Sequence, residues 1–159
     1  MLTMRSERTL ELVEEYAPAL AFLVALVATL GSLYYSEVRG FIPCTLCWYQ
    51  RILMYPLVAI LLAGLIRSDP GLAAYVLPLA LLGILVAGYH YTVQLGLWGG
   101  ESAACSVGVP CTGRYVDLFG LGFITIPFQA LTAFILITVL MIGARAASHR
   151  LDVIAGIEP

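Results

Sequence analysis

Lysine is absent from the 159 residues, so all eight cations are arginines, and charged residues make up only 11% of the chain. Soluble domains normally carry about 25% charged residues. A deficit this large, with 61% hydrophobic residues and a mean hydropathy of +0.95, exceeds what a buried core accounts for and points to lipid as the solvent. The formal net charge is −2 and no run of basic residues occurs, so nothing suggests a nucleic-acid partner. Internal repeats are missing too, as is any sign of a second domain. The first apolar stretch is followed by no clear small-x-small cleavage site. About sixteen residues precede it and it is longer than the core of a signal peptide, so it reads as a retained anchor.

What is present is four apolar stretches: Ala17 to Tyr35, Cys47 to Ile66, Leu72 to Tyr91 and Leu121 to Gly143. Each is close to the ~20 residues that a helix needs to cross a ~30 Å hydrocarbon core. Within them Arg51 is almost the sole formal charge, and it lies at one end. Pro56, Pro78 and Pro127 interrupt the pattern, which membrane helices tolerate when neighbours satisfy the freed carbonyls. The expected fold is an all-α membrane protein, a four-transmembrane-helix bundle. A cytoplasmic N-terminal segment (1–16) precedes the membrane domain (17–143). A cytoplasmic tail (144–159), disordered or interfacial, follows it. Arg67 to Gly71 reads as a tight Asp-Pro-Gly turn between antiparallel helices.

Arg5, Arg8, Arg67, Arg145 and Arg150 share one side in this arrangement, against Arg39, Arg114 and the edge residue Arg51 on the other. The positive-inside rule then puts both termini in the cytoplasm. All four cysteines consequently face the exterior, where an oxidising compartment suits dithiol exchange. Cys44 and Cys47 sit where the first outer loop enters the second helix. Cys105 and Cys111 sit in the second outer loop, a long segment rich in Gly99, Gly100, Gly108, Pro110 and Gly113, with the room to move that passing electrons between partners requires.

A Cys-x-x-Cys at a helix start is a physical device. The partial positive charge of the helix N-terminus favours thiolate over thiol, and Pro43 holds Cys44 near the cap. Arg51, four residues after Cys47, shares its face one turn deeper. An arginine there either snorkels to headgroups or stabilises the Cys47 thiolate or a reduced electron acceptor, and the adjacent cysteine pair favours the second. His90 and Gln94, at i and i+4 near the outer end of the third helix, are ordinary interface residues or donors for the carbonyl oxygens of a lipid-soluble quinone. Trp48, Tyr49, Tyr55, Tyr89, Tyr91 and Trp98 cluster at the same depth, and an aromatic belt explains most of them. Cys105 and Cys111 have the spacing of a short loop that a disulfide can close, either a static staple or a redox pair. A four-cysteine zinc site is disfavoured by the five-residue spacing and the membrane-edge placement.

The run Phe41-Ile42-Pro43-Cys44-Thr45-Leu46-Cys47-Trp48-Tyr49-Gln50-Arg51 resembles the signature of the DsbB family of disulfide-bond formation proteins. Val109-Pro110-Cys111-Thr112 and Phe123-Ile124-Thr125-Ile126-Pro127 resemble its short, BdbC-type branch. The resemblance runs from the first span through the fourth. It implies a multi-pass protein of the prokaryotic plasma (inner) membrane, a quinone-dependent protein-disulfide oxidoreductase. A soluble extracytoplasmic thioredoxin-fold thiol oxidase, DsbA-like, would dock on the second outer loop and form a mixed disulfide with Cys105, with Cys111 completing that pair. Electrons would pass to Cys44 and Cys47, and Cys47 would hand them to a quinone of ubiquinone or menaquinone type. Arg51 would stabilise the developing charge, and His90 would make a further quinone contact.

In the better-known branch the second cysteine pair is spread much further apart, around a helix on the membrane surface. The tight spacing here leaves little room for such a helix, which counts against carrying over the inter-loop Cys44–Cys111 disulfide. Other readings fit less well. A vitamin-K-epoxide-reductase-like enzyme has its accessory pair before the Cys-x-x-Cys, and here the pair comes after. An outward thiol-reductant conduit wants cysteines within the spans, and there are none. A small membrane scaffold with two structural disulfides predicts no quinone and no exchange.

Overall fold

The computed structural model describes residues 2–97, 105, 109–114 and 123–156, with side chains from residue 7 onward. Trp98, Gly99, Gly100 and Gly108 lie outside the described residues, as does the Arg5 side chain. Four helices carry the fold: α1 (Leu2–Leu33), continued by a π-helical turn (Tyr34–Val38), α2 (Thr45–Arg67), α3 (Leu72–Gln94) and α4 (Ile126–Ile154). Each contains a window apolar and long enough to cross a membrane, as its composition requires. No strand occurs among the described residues.

Helix lengths differ in a way that hydropathy does not reveal. The 23 residues of α2 and of α3 rise about 35 Å, close to a bilayer, whereas the 32 of α1 and 29 of α4 rise about 48 and 43 Å. The tail after Ala144, expected to be disordered or interfacial, instead prolongs α4 to Ile154. Ala144, Ala146, Ala147 and Leu151 are strong helix formers, and Ala144 and Ala147 are buried. At the other end α1 is helical back to Leu2, with no break at the expected boundary near residue 16.

Local chemistry sets the helix ends. Cys44 is the N-cap of α2 (φ −72°, ψ 171°), and its sulfur accepts the Cys47 backbone N–H at 3.4 Å, the role more often filled by a serine or aspartate oxygen. At the far end Ser68 adopts the left-handed conformation (φ 49°) and donates its N–H to Gly64 O and Leu65 O. The Asp69 carboxylate then accepts from Gly71 N at 2.7 Å, so the Asp-Pro-Gly turn forms as expected. Thr125, in extended conformation, caps α4 and puts Pro127 in the first helical turn. That corrects the reading of Pro127 as an interruption, because in the first turn its missing N–H has no intrahelical partner to lose. Pro18, Pro56 and Pro78 do lie inside helices.

The bundle closes as a ring in chain order: α1 packs on α2 and α4, α3 packs on α2 and α4, and α2 meets α4 only narrowly across the diagonal. Small residues permit the close approach. Ala21 and Ala25 of α1 are fully buried, and Gly64 faces Leu72 across the α2–α3 turn. Gly83 of α3 lies directly beneath the ring of Phe134, the largest fully buried side chain among those described. A Cβ there runs into that ring, which has nowhere to go. Gly83→Ala is therefore expected to destabilise the bundle by about 1–3 kcal/mol, the usual range for an overfilled core. A lowered unfolding midpoint in detergent checks this, and an unchanged midpoint refutes the packing described.

Candidate functional site: two cysteine pairs at one end of the bundle

The start of α2 and the outer loop bring the cysteines together against the end of α3. Cys44 stands at the start of α2 and Cys47 in its first turn, their sulfurs 2.8 Å apart and both cysteines free. Cys105 and Cys111 form a disulfide with a Cα–Cα distance of 5.7 Å. All but Cys47 are buried, and they pack as one cluster with Leu46 and Val93, flanked by Cys47 and Val109. Of the three pairings that four cysteines allow, the structure adopts the local one for the outer pair and leaves the inner pair as a dithiol.

The outer loop is tied down by the end of α3. Gln94 Nε2 donates to Gly113 O at 3.1 Å, and Arg114 Nη2 donates to Gln94 O at 3.5 Å. His90 is the centre of the arrangement. It is 2% exposed, and its Nε2 lies 3.2 Å from the Cys111 carbonyl oxygen and 3.7 Å from the Cys44 sulfur. Its Nδ1 lies 2.8 Å from Gln50 Nε2. A carbonyl oxygen only accepts, so Nε2 carries the proton, and in a neutral ring Nδ1 then accepts from the Gln50 amide. Both ring nitrogens are thus engaged within the protein.

The Cys44 and Cys111 sulfurs and a His90 ring nitrogen lie within 4.8 Å of one another. A trio of that kind resembles a metal site, but the Cys111 sulfur is already bonded to Cys105 and is no thiolate ligand. The same proximity has a redox meaning. A thiolate on Cys44 stands beside the Cys105–Cys111 bond, within reach of exchange after a small movement. The tight loop therefore brings Cys44 and Cys111 together despite lacking room for a surface helix.

The electrostatics favour that thiolate. The neighbouring Cys47 thiol, then His90, then the Cys47 backbone N–H lower the Cys44 pKa from 9.0 to about 4, against burial, which pushes it up. A lowered thiol pKa means the anion persists until the pH falls through the folded value. Alkylation of Cys44 by an uncharged reagent is therefore expected to stay nearly constant from pH 8 to 6 and to fall only toward about pH 4. An ordinary thiol would lose about tenfold in rate per unit over the same range. Mass-spectrometric rates across that interval separate the two.

Arg51 occupies the next turn of α2, as its spacing required. Its Nη2 donates to Ser32 O at 3.0 Å, just before the π-helical turn, and its guanidinium lies 5.3 Å from the centre of the Trp48 ring. Tyr55 donates to Ser32 Oγ at 3.3 Å. Arg51, Cys44, Cys47, His90, Gln94 and Cys111 all line one cavity of about 640 Å³. The rest of its wall is mainly apolar and comes from α1, α2, α4 and the outer loop. Leu23, Val27 and Leu136, each exposed over roughly half its surface on the outer faces of α1 and α4, belong to the same wall, so the cavity reaches the lipid-facing surface.

The expected aromatic cluster divides. Tyr55 lines the cavity, Trp48 backs Arg51, and Tyr49 and Tyr89 point outward as a belt would. Tyr91 leans on Phe128 at 5.6 Å. Sequence reasoning passed over Gln50, and also Tyr35 and Gln129, whose side chains bond at 3.2 Å in the cavity wall. The available signal was a glutamine in an apolar span beside a cysteine pair.

The family model described as disulfide bond formation protein DsbB matches residues 14–144. The chain belongs to the DsbB family. Among DsbB-family relatives, it is 53% identical over 121 residues to disulfide bond formation protein C of Bacillus subtilis (strain 168), covering 76% of this chain and 86% of that one. It is 50% identical over 117 residues to a probable disulfide formation protein C of Halalkalibacterium halodurans, covering 74% and 84%. A probable disulfide formation protein C 1 of Bacillus anthracis is 48% identical over 127 residues, covering 79% and 89%. No solved structure matches the chain. As a DsbB-family member with four apolar helices, this is a multi-pass membrane disulfide oxidoreductase, which sets aside the scaffold and the epoxide-reductase-like readings.

Proposed function

We propose that the protein reoxidises a soluble, DsbA-like thioredoxin-fold thiol oxidase outside the cytoplasm and delivers the electrons to a membrane quinone of ubiquinone or menaquinone type. The observation that carries this reading is the shared cavity. A dithiol pair, Arg51 and Cys111 of the second cysteine pair all line one mainly apolar chamber that reaches the lipid-facing surface. An apolar ring with a polyprenyl tail suits such a chamber in size, polarity and route of entry. Arg51 would hold the headgroup, its guanidinium fixed by Ser32 O and Trp48. A quinone bound there supplies a sink for two electrons and two protons.

The residues divide the rest of the work. A thiolate of the partner attacks Cys105, and Cys111 leaves with the electron pair. The Cys111 thiolate then attacks Cys44 of a Cys44–Cys47 disulfide, and Cys47 leaves as thiolate in the cavity wall. One S–S bond forms for each that breaks. Over a full cycle two partner thiols become a disulfide and a quinone becomes a quinol. His90 contributes to the same wall from α3, its ring turned to the cysteines.

The same reading places residues 17–143 in the plasma membrane of a prokaryote, with 1–16 and 144–159 cytoplasmic and the four cysteines extracytoplasmic. Purified protein mixed with a reduced thioredoxin-fold oxidase and a soluble quinone analogue is expected to bleach the quinone absorbance catalytically. In oriented vesicles a membrane-impermeant thiol reagent should label the cysteines, after mild reduction, from the extracytoplasmic face. Labelling from the cytoplasmic face alone overturns topology and function together.

A further inference from the structure

Gln50 is an amide 5% exposed inside an otherwise apolar span, and burial of an amide without a partner is costly. Its partner is His90 Nδ1, at 2.8 Å, on another helix and 40 residues away. His90 in turn reaches the Cys111 carbonyl and the Cys44 sulfur through Nε2. The imidazole has one proton for two nitrogens when neutral, so whatever Gln50 presents to Nδ1 decides what Nε2 can offer. With its NH2 toward the ring, Gln50 donates and the proton stays on Nε2. With its oxygen toward the ring, the proton would move to Nδ1. The Cys111 carbonyl and the Cys44 sulfur would then lose the imidazole N–H.

We propose that Gln50 is a positioning residue that locks His90 in the Nε2–H tautomer, so that one N–H supports Cys44 as the leaving thiolate when the disulfide passes between the two cysteine pairs. This rests on the exchange between pairs set out above, and concerns one step of it. When Cys44 is bonded to Cys111, the Cys105 thiolate attacks the Cys111 sulfur. A Cys105–Cys111 bond forms, the Cys44–Cys111 bond breaks, and the electron pair leaves on the Cys44 sulfur with no net oxidation. The Nε2–H, 3.7 Å from the Cys44 sulfur, adds a donor from another helix to the nearer Cys47 backbone N–H at 3.4 Å, and charge-assisted hydrogen bonds of this kind are the stronger ones. The arrangement in the structure, with Cys105–Cys111 closed and Cys44 free beside His90, is the product of that step.

The tautomer is measurable without partner or quinone. Histidine-labelled full-length protein in micelles gives separate nitrogen-15 signals for protonated and bare ring nitrogens. The chain has two histidines, so His149→Gln assigns the remaining pair to His90. The parent is expected to show a protonated Nε2 and a bare Nδ1. Gln50→Leu should lose that single form, and Gln50→Glu should draw a proton onto Nδ1. Gln50→Glu preserves the size of the side chain and decides the matter should the leucine variant not fold. A protonated Nδ1 in the parent, or an unchanged pattern in the glutamate variant, overturns the tautomer assignment.

A second readout tests the consequence. In a Cys47→Ser background the three remaining cysteines share one disulfide, and acid quenching with peptide mapping gives the ratio of Cys105–Cys111 to Cys44–Cys111. Losing the donor from Nε2 should shift that ratio toward Cys44–Cys111 by about three- to tenfold, the effect of one hydrogen bond. An unmoved ratio alongside a changed tautomer overturns the support of Cys44. Neither measurement depends on quinone turnover, so failure here is distinguishable from failure of the proposed function.

Discussion

Replacing Cys47 by serine is expected to reduce quinone turnover to background while leaving the first encounter with the partner intact. A two-electron delivery from the inner pair ends in a Cys44–Cys47 disulfide, and a serine oxygen cannot take part in that bond. The outer pair remains able to accept electrons, because Cys105 and Cys111 are untouched and Cys111 lies within 4.8 Å of the Cys44 sulfur. The variant should therefore complete one exchange and stop. Part of the population should carry the Cys44–Cys111 disulfide, visible as a cross-linked peptide pair under non-reducing digestion. Turnover at the parental rate would remove the inner pair from the electron path. The reading of the cavity as a quinone site would go with it.

Arg51→Lys is expected to raise the KM for quinone by about ten- to a hundredfold. The guanidinium serves two contacts at once, a hydrogen bond to Ser32 O and the face of Trp48, and it still has donors left for the cavity. An ammonium is a compact, strongly hydrated point charge that cannot reproduce the planar fork or the stacking. Loss of one hydrogen bond to a charged group costs about 1.5–3 kcal/mol, and each 1.4 kcal/mol is tenfold in affinity. Thiol–disulfide exchange with the partner in the absence of quinone should be unaffected, since Arg51 sits a turn deeper than Cys47 and its contacts are Ser32 O and Trp48. An unchanged KM, or an equal loss in the quinone-free exchange, would assign Arg51 a structural role instead.

Much of the frame was legible from composition and length alone. Lipid demands apolar runs of a definite length, so four spans were readable without any periodicity. The Asp69-Pro70-Gly71 turn follows from local backbone preferences, and so does the placement of Cys44 after Pro43 at a helix start. What stayed hidden is what depends on distance along the chain. The partners of His90 come from α2 and from the outer loop, and nothing in its local sequence points to them. Gln50 was overlooked because its neighbours Cys47 and Arg51 already carried the motif. The reach of α4 to Ile154 escaped a hydropathy reading because Arg145, His149 and Arg150 lower the local score without weakening the helix. The Cys105–Cys111 bond needed coordinates too, since sequence allows every pairing.

His90 grips the outer loop by the backbone of Cys111, not by its sulfur. The grip is therefore indifferent to which sulfur Cys111 is bonded to. Whether the outer disulfide is closed, opened by a partner or shared with Cys44, the same carbonyl can stay on the same N–H while the side chain swings beneath it. The loop is then a fixed pivot with a moving contact, and the relay can change bonds without first releasing its hinge.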